Sequence, residues 1–366
     1  MSSIMSSKTN KTLVSIVIAN YNYGSFLATA IESVLNQSYS HFELIVVDDG
    51  SIDNSREVIE LYGDNITAIF QENAGQGAAF NNGIAHSTGE IICFLDADDY
   101  FHPRKLEKVV REFEKHPEWV QIAHGYIKTN SEGVPQRPSS KTLSQGDVRP
   151  LLLKWGKYGW MSTSGLSYRR NALEKVLPIP NKPNRDETTC ADTYLTATVP
   201  FYGEIGCINE PLMYYRTHDT NLYGNVNLSF LIHEREFAAN WINRTAEKVG
   251  ISERFNLDND ADYRTFKLLN SHLNSNSNYQ LDSGTLTWSD GAVAPAVGDR
   301  IQIVLGNWQI LALNFQENIS IGRSFRDSTM RLIQRFLYLL FPREGRSILK
   351  LGVRGFLQSK SLMIGG

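Results

Sequence analysis

Asp96, Asp98 and Asp99 stand together in the run Asp96-Ala97-Asp98-Asp99, directly after the apolar stretch Glu90 to Leu95. Alternate residues of an extended chain share one side, so Asp96 and Asp98 leave the stretch pointing the same way. Two such carboxylates can converge on a hard divalent cation. Mg²⁺ and Mn²⁺ prefer oxygen ligands and typically take one or two protein carboxylates plus substrate phosphates. Neutralising a departing diphosphate is a task for such an ion. The competing reading, a capped helix start ahead of Pro103, is weaker because it does not need a same-side acidic pair after an apolar strand.

The elements that must position these groups are strands. Leu13 to Ala19, Phe42 to Val47 and Ile66 to Phe70 are also apolar runs rich in β-branched residues, the pattern of strands buried on both faces of a parallel sheet. Between them lie helical patterns. One stripe runs Phe26, Leu27, Ala30, Ile31, Val34, Leu35; a second helix carries Val58, Ile59 and Leu61, with Asp53 suited to cap it; a third is the Gly/Ala-rich stretch Gly77 to His86. Four strands joined by three helices require crossovers, which predicts an α/β fold with a mainly parallel sheet and helices on both faces. Ligands bind such sheets beyond the carboxyl ends of the strands. Here those ends carry Asn20-Tyr21-Asn22, Asp48-Asp49, Asn73 and the Asp96 cluster. Asp49 lies where a base or ribose can be hydrogen-bonded, and Tyr21 can stack on a base or simply pack. Gly75, Gly77, Ala78 and Ala79 allow backbone to approach a ligand at a helix start, where amide dipoles favour phosphate. Asn73 and Gln76 flank that start.

The formal charge of −3 gives no whole-chain argument for nucleic-acid binding. Cys93, Cys190 and Cys207 are too scattered for a disulfide framework or a zinc site, which suits a reducing compartment. Met1 to Lys11 is a polar stretch without an apolar core of signal-peptide length and reads as a frayed tail. No run reaches the roughly 20 apolar residues of a spanning helix. The expectation is a cytoplasmic protein, in contact with the inner face of the cell membrane through its C-terminal region. There Ser328 to Phe341 has Arg331, Gln334, Arg335 and Tyr338 on one helical face and Leu332, Ile333, Phe336, Leu337, Leu339 and Leu340 on the other, followed by Arg343, Arg346, Lys350, Arg354 and Lys360. A basic amphipathic helix of this kind can lie on anionic lipid, here over 328–360, or dock on the rest of the protein.

The stretch from Val14 to Leu106 resembles family 2 of the inverting glycosyltransferases, which have the GT-A fold. The matching motifs are Ala19-Asn20-Tyr21-Asn22, Leu35-Asn36-Gln37-Ser38, Val47-Asp48-Asp49-Gly50-Ser51, Asn73-Ala74-Gly75 with Asn81-Asn82-Gly83, Gly89-Glu90, and Phe94-Leu95-Asp96-Ala97-Asp98-Asp99. The resemblance implies a nucleotide-diphosphate sugar donor held by Tyr21, Asp49, Asn73, Gln76, Asp96 and Arg216. It also implies a Mg²⁺ or Mn²⁺ held by the pair Asp96 and Asp98, with Asp98 the stronger ligand and His218 joining them. Phe80 departs from the family, where arginine is common before Asn81. The family's general base falls on Asp192 in Cys190-Ala191-Asp192-Thr193-Tyr194-Leu195, although Ala191 replaces the usual acidic partner; Asp186 and Glu187 are rivals, and Asp192 can also be read as a helix cap. Tyr215-Arg216-Thr217-His218 resembles the family's closing motif, whose Arg and His face the donor diphosphate or the metal. Trp155, Trp160 and Met161 suit an acceptor pocket or the core equally.

These readings predict a tail at 1–12, a GT-A domain at 13–225 (nucleotide-sugar half 13–102, acceptor half 103–225) and a mostly helical region at 226–366. The acceptor half carries a charged helix from Arg104 to Lys115, a strand-like stretch from Trp119 to Lys128, the segment Leu166 to Tyr168, a helix near Asn171 to Val176 and the segment Cys190 to Glu210. In the last region Phe230 to Val249 and Tyr263 to Leu273 read as helices, and Leu281 to Asp299 has no assignment. The expected function is inverting glycosyl transfer to a hydroxyl of a glycan or lipid-linked acceptor, in bacterial polysaccharide or lipid-linked glycan synthesis. A nucleotidyltransferase would need a Gly-rich, Arg-containing loop after the first strand, and a dehydrogenase G-x-G-x-x-G; neither is present. An aspartyl-phosphate phosphatase would carry its Asp pair after the first strand rather than the fourth. The remaining alternative is a catalytically silent sugar-nucleotide-binding or scaffold protein.

Overall fold

The computed structural model describes residues 11–139, 141–180, 190–221, 228–272, 279–282, 285–288, 316 and 318–320. Asp186, Glu187 and the basic stretch 328–360 lie outside the described residues. The chain divides into two compact units, Met1–Val148 with Trp160–Thr217, and Arg149–Gly159 with His218–Gly366. The first unit ends at Thr217, and the segment from Arg149 to Gly159 belongs with the second unit.

The first unit is built on one sheet. Strands β1 (Val14–Asn20), β2 (Phe42–Asp48), β3 (Thr67–Phe70) and β4 (Ile91–Asp96) are mutually parallel in the order β3-β2-β1-β4. Helices α1 (Gly24–Leu35), α2 (Ser55–Glu60) and α3 (Gln76–Ala85) make the crossovers. The parallel register brings Asn20 level with Asp48 and Ala19 level with Asp96, so the polar ends of β1, β2 and β4 reach one rim. Strands β5 (Tyr100–Phe101), β6 (Trp119–Thr129), β7 (Pro135–Pro138), β8 (Leu166–Arg169) and β9 (Glu204–Arg216) extend the sheet on the far side of β4. There β8 runs antiparallel to both β4 and β6, while β9 runs parallel to β6. Helix α4 (Lys105–Lys115), helix α6 (Arg170–Leu173) and helix α7 (Ala191–Thr198) complete the unit.

The two faces of β1 show why these sequences become strands and helices. Ile16 and Ile18 bury into a cluster with Leu27, Ala30, Ile31 and Val34, the stripe of α1, and with Leu106, Val109, Val110 and Phe113 of α4. Val17 points to the opposite face, against α3. Burying an aliphatic side chain contributes roughly 1.5–3 kcal/mol, so each strand is held from both sides. Position 80 faces this interior: Phe80 is fully buried, with its ring 4.4 Å from that of Phe94. An arginine there would have no path to a ligand without repacking, and the departure at Phe80 is therefore a core feature.

The second unit contains α5 (Arg149–Trp155), α8 (Leu228–Lys248), α9 (Ala261–His272) and a hairpin of β10 (Tyr279–Asp282) with β11 (Thr285–Trp288). The hairpin occupies part of the stretch that the sequence left unassigned. Asp260 is fully buried; it accepts from the backbone of Asp262 at 2.9 Å and pairs with Arg235 and with Lys157. A buried carboxylate needs such partners to offset its desolvation. No helix among the described residues is long and apolar enough to cross a membrane.

Helix α3 lies so close to the sheet that a Cβ on Gly83 would come within 2.3 Å of a methyl of Val17. Overpacking of this kind costs about 1–3 kcal/mol. Gly83→Ala is expected to lower unfolding stability by that amount in urea titration, with an unchanged denaturant slope.

Candidate active site

The rim begins with two aspartates whose carboxylates are spent on the protein itself. Asp48 accepts from the Asn20 amide at 2.7 Å and from the Ser51 hydroxyl at 2.5 Å. The same hydroxyl accepts from the backbone N–H of Asn22 at 2.8 Å, and Asn22 sits in the left-handed region with φ 58°, a conformation asparagine tolerates better than most residues. This turn holds Tyr21 at the rim with 39% of its surface exposed, open for stacking. Asp49 accepts from Gln71 Nε2 at 2.7 Å, from Ala74 N at 2.9 Å and from Gly75 N at 2.7 Å. Asp49 therefore shapes the loop that leads into α3, and any nucleoside contact is confined to the acceptor capacity left over. Asn73 in that loop is exposed.

At the end of β4 the acidic residues are drawn inward. Asp98 and Asp99 are buried, and Asp96 is partly covered. Gln76, the first residue of α3, donates to Asp96 Oδ1 at 2.8 Å, and its Oε1 accepts from the backbone N–H of Ala191 at 3.4 Å. Ser164 Oγ lies 3.4 Å from Asp96 Oδ2 and accepts from Asp96 N at 3.1 Å. Burial first, and then the charges of Asp98 and Asp192, hold the Asp96 carboxyl well above the usual carboxylate range; the bonds from Ser164 and Gln76 oppose this. Asp99 is raised likewise by burial, Asp98 and Asp96.

Asp192 belongs to the same electrostatic cluster although it lies nearly a hundred residues further along the chain. It sits in the first turn of α7, all eight residues of which are buried. Burial pushes its carboxyl up to about 6, against the opposing pull of backbone N–H groups at Thr193 and Thr163 and of the Lys141 charge. One oxygen, Oδ1, is buried without a hydrogen-bond partner among the described residues. Buried polar atoms are rarely left so. A carboxylate with a raised value and an open acceptor position is suited to take a proton from a bound hydroxyl.

A divalent cation suits this donor set. Asp96 and Asp98 would supply hard oxygen ligands, and the negative charge around Asp96 is what a cation would offset. Among the described residues no three His, Cys, Asp or Glu side chains form a ready-made metal cage. The expected third ligand, His218, falls in the second unit. Its ring nitrogens engage Thr220 at 2.8 Å and Asn221 at 3.2 Å, in a local turn.

Arg216 is bonded within the protein. Its Nε donates to the Asp98 carbonyl at 3.0 Å and its Nη1 to the Ser131 carbonyl at 3.0 Å, while its backbone N–H donates to Asp99 at 3.0 Å. The guanidinium also lies 4.8 Å from the ring centre of Phe26 and 5.5 Å from that of Tyr100. Arg216 thus braces the Asp98–Asp99 turn from within. Met161 is fully buried against Gly165, and Trp155 is buried in the second unit, while Trp160 is half-buried with the Lys141 ammonium 5.9 Å from its ring. The residues that sequence reasoning passed over are Gln71, which secures Asp49, and Ser164, which contacts Asp96. Neither carries a spacing signal, since each meets its partner only through the fold.

The profile of Glycosyl transferase family 2 matches residues 15–177. An uncharacterised glycosyltransferase of Nostoc is 38% identical over 267 residues, covering 69% of this chain and 82% of that protein. A second, from Rickettsia typhi, is 40% identical over 111 residues, covering 30% of this chain and 35% of that protein. Among solved structures, Staphylococcus aureus TarS 1–349 in complex with UDP-GlcNAc aligns over 91% of both chains, with 16% identity and a TM-score of 0.49.

Asp49 is buried and takes three donors, and hydrogen bonds to a charged group contribute about 1.5–3 kcal/mol. Asp49→Ala is expected to lose at least about 2 kcal/mol of stability on the same scale. Amide exchange at Ala74 and Gly75, in the loop before α3, should accelerate more than exchange within α3.

Proposed function

The chain belongs to glycosyl transferase family 2, and from that premise we propose that it is a metal-dependent, inverting transferase with Asp192 as its general base. Glycosyl transfer from a nucleotide-sugar is the activity of the family. The observation that carries the finer reading is Asp192: buried, pushed up to about 6, with Oδ1 unpartnered beside the Asp96 cluster.

In the proposed reaction the acceptor hydroxyl oxygen attacks the anomeric carbon of the donor as the bond to the diphosphate oxygen breaks. Asp192 Oδ1 takes the hydroxyl proton during the attack, and the nucleoside diphosphate leaves with the bonding pair. A single displacement of this kind inverts the anomeric configuration. Tyr21 stacks on the base, Asp49 and Asn73 border the nucleoside, and Gln76 keeps Asp96 and the start of α7 in register. Asp96 and Asp98 would hold Mg²⁺ or Mn²⁺, which when bound supplies positive charge against the leaving diphosphate. Arg216 acts through the Asp98 turn that it braces. The acceptor is proposed to be a glycan or lipid-linked hydroxyl in bacterial polysaccharide or lipid-linked glycan synthesis. The proposed setting is the cytoplasmic face of a membrane, engaged through the basic stretch 328–360, whose sequence pattern alone supports that part.

A positioned base contributes roughly 10²–10⁴-fold. Asp192→Asn is expected to lower kcat by that factor while leaving the dissociation constant of the nucleotide-sugar within about twofold. Near-wild-type turnover in this variant would remove Asp192 from the role. Because the base must be ionised, kcat/KM should rise with pH along a limb whose midpoint lies at about 6 or below, a nearby cation favouring the charged form, and level off above it; in Asp192→Asn that limb should vanish. Slow, Mn²⁺-dependent hydrolysis of nucleotide-sugars, lost in Asp98→Ala, would separate an enzyme from a silent scaffold, which should show none.

A further inference from the structure

Lys105 is the first residue of α4 and is completely buried. A lysine in the first turn of an amphipathic helix ordinarily reaches solvent, and holding its ammonium in the interior is costly unless it is paired. Here Nζ donates to the backbone carbonyl of Ser164 at 2.7 Å and lies 3.5 Å from the ring centre of Phe101. Burial lowers this amine to about 8, with the charge of Asp99 opposing the shift.

Ser164 lies in a single 3₁₀ turn, Thr163–Gly165, just before β8. The other side of this turn faces the acidic rim. Ser164 Oγ accepts from Asp96 N at 3.1 Å and lies 3.4 Å from Asp96 Oδ2. The backbone N–H of Thr163 acts on Asp192, where it lowers the carboxyl. Gly165 admits no side chain, because a Cβ would come within 2.5 Å of Met161 and 3.2 Å of the His124 carbonyl. The turn is therefore packed from below, tied to the rim from above, and gripped at its central carbonyl by one ammonium.

We propose that Lys105 is a positioning residue for the reaction: it pins the Thr163–Gly165 turn through the Ser164 carbonyl, and the Ser164 hydroxyl in turn sets the backbone and carboxylate of Asp96. This rests on the proposed role of Asp96 as a ligand of a divalent cation, and it adds a path from the interior to that ligand. The ammonium also places a positive charge beside Asp99 on the protein side of the cluster. Retaining a buried lysine rather than an apolar residue then has a reason that packing alone does not supply, since apolar replacement of buried charges is often neutral or stabilising.

The test uses the full chain and three variants: Lys105→Met, which keeps length and volume; Ser164→Ala, which removes the hydroxyl's contacts with Asp96 and Asp99 and leaves the Ser164 carbonyl in place; and Lys108→Met as the control on the same helix. Mn²⁺ binding is followed by electron paramagnetic resonance with the metal alone, and amide exchange is read in metal-free protein. Lys105→Met is expected to melt cooperatively at or above the wild-type temperature, yet to bind Mn²⁺ about tenfold more weakly. Exchange at 163–165 and 96–99 should rise by about tenfold or more, reflecting local opening. Ser164→Ala should weaken Mn²⁺ comparably and loosen 96–99 while leaving 163–165 protected, and the control should change neither segment. Wild-type exchange and Mn²⁺ affinity in Lys105→Met would overturn the proposal, as would a lowered melting temperature with both segments still protected. If Lys105→Met does not fold, Ser164→Ala decides: wild-type protection at 96–99 overturns the link. If the wild-type protein binds no Mn²⁺, the metal reading of the site fails, and the exchange data still decide whether Lys105 sets Asp96.

Discussion

The structure depends on one electrostatic constraint: several carboxylates withdrawn from water at the same rim of a sheet. Burial raises Asp96 and Asp99, and each is raised further by its acidic neighbours, Asp98 foremost. Asp192, brought in by α7, adds to the charge around Asp96. Desolvated like charges can be kept together only where the surrounding structure over-determines their positions. Hydrogen bonds from Gln76 and Ser164, the Arg216 brace on the Asp98 carbonyl and the backbone of β9 supply that restraint. The apolar strands and helices beneath contribute rigidity more than chemistry.

Within this rim the aspartates divide by what their oxygens are doing. Asp48 and Asp49 are saturated or nearly so by amides and hydroxyls of adjoining loops, and they make their side of the rim a preformed surface. Asp192 keeps a buried oxygen without a partner among the described residues, the atom proposed to receive the acceptor's proton. Preorganised acceptors and open ones are both required, because a site made only of satisfied groups has nothing left to offer a substrate, and one made only of open groups would not hold its shape.

Much of the first unit is legible in the chain. Apolar runs bounded by Asn and Asp mark β1, β2 and β4, and the i, i+3, i+4 stripe at Leu27, Ala30, Ile31 and Val34 is the buried face of α1. Period and burial are local properties, so they survive into the fold. Other residues read differently in three dimensions. Phe80 looks like a lost ligand contact and proves to be core. Arg216 looks like a diphosphate contact and is bonded to two carbonyls. Lys105, in a helix rich in charged residues, is sealed in the interior. In each case the side chain's direction is set by a partner far away in sequence, which composition and spacing do not encode.

Sequence alone determined the first four strands and the three helices between them, the placing of acidic residues at strand ends and the membership of the chain in a family. Those follow from hydrophobic period and from motif spacing over neighbouring residues. Tertiary structure decided which carboxylates share one desolvated environment, which of their oxygens are already committed, and that a turn at Thr163–Gly165 joins Lys105 to Asp96. The physical reason is that charge, burial and hydrogen-bond saturation depend on distances between segments, and these exist only once the sheet has brought the segments together.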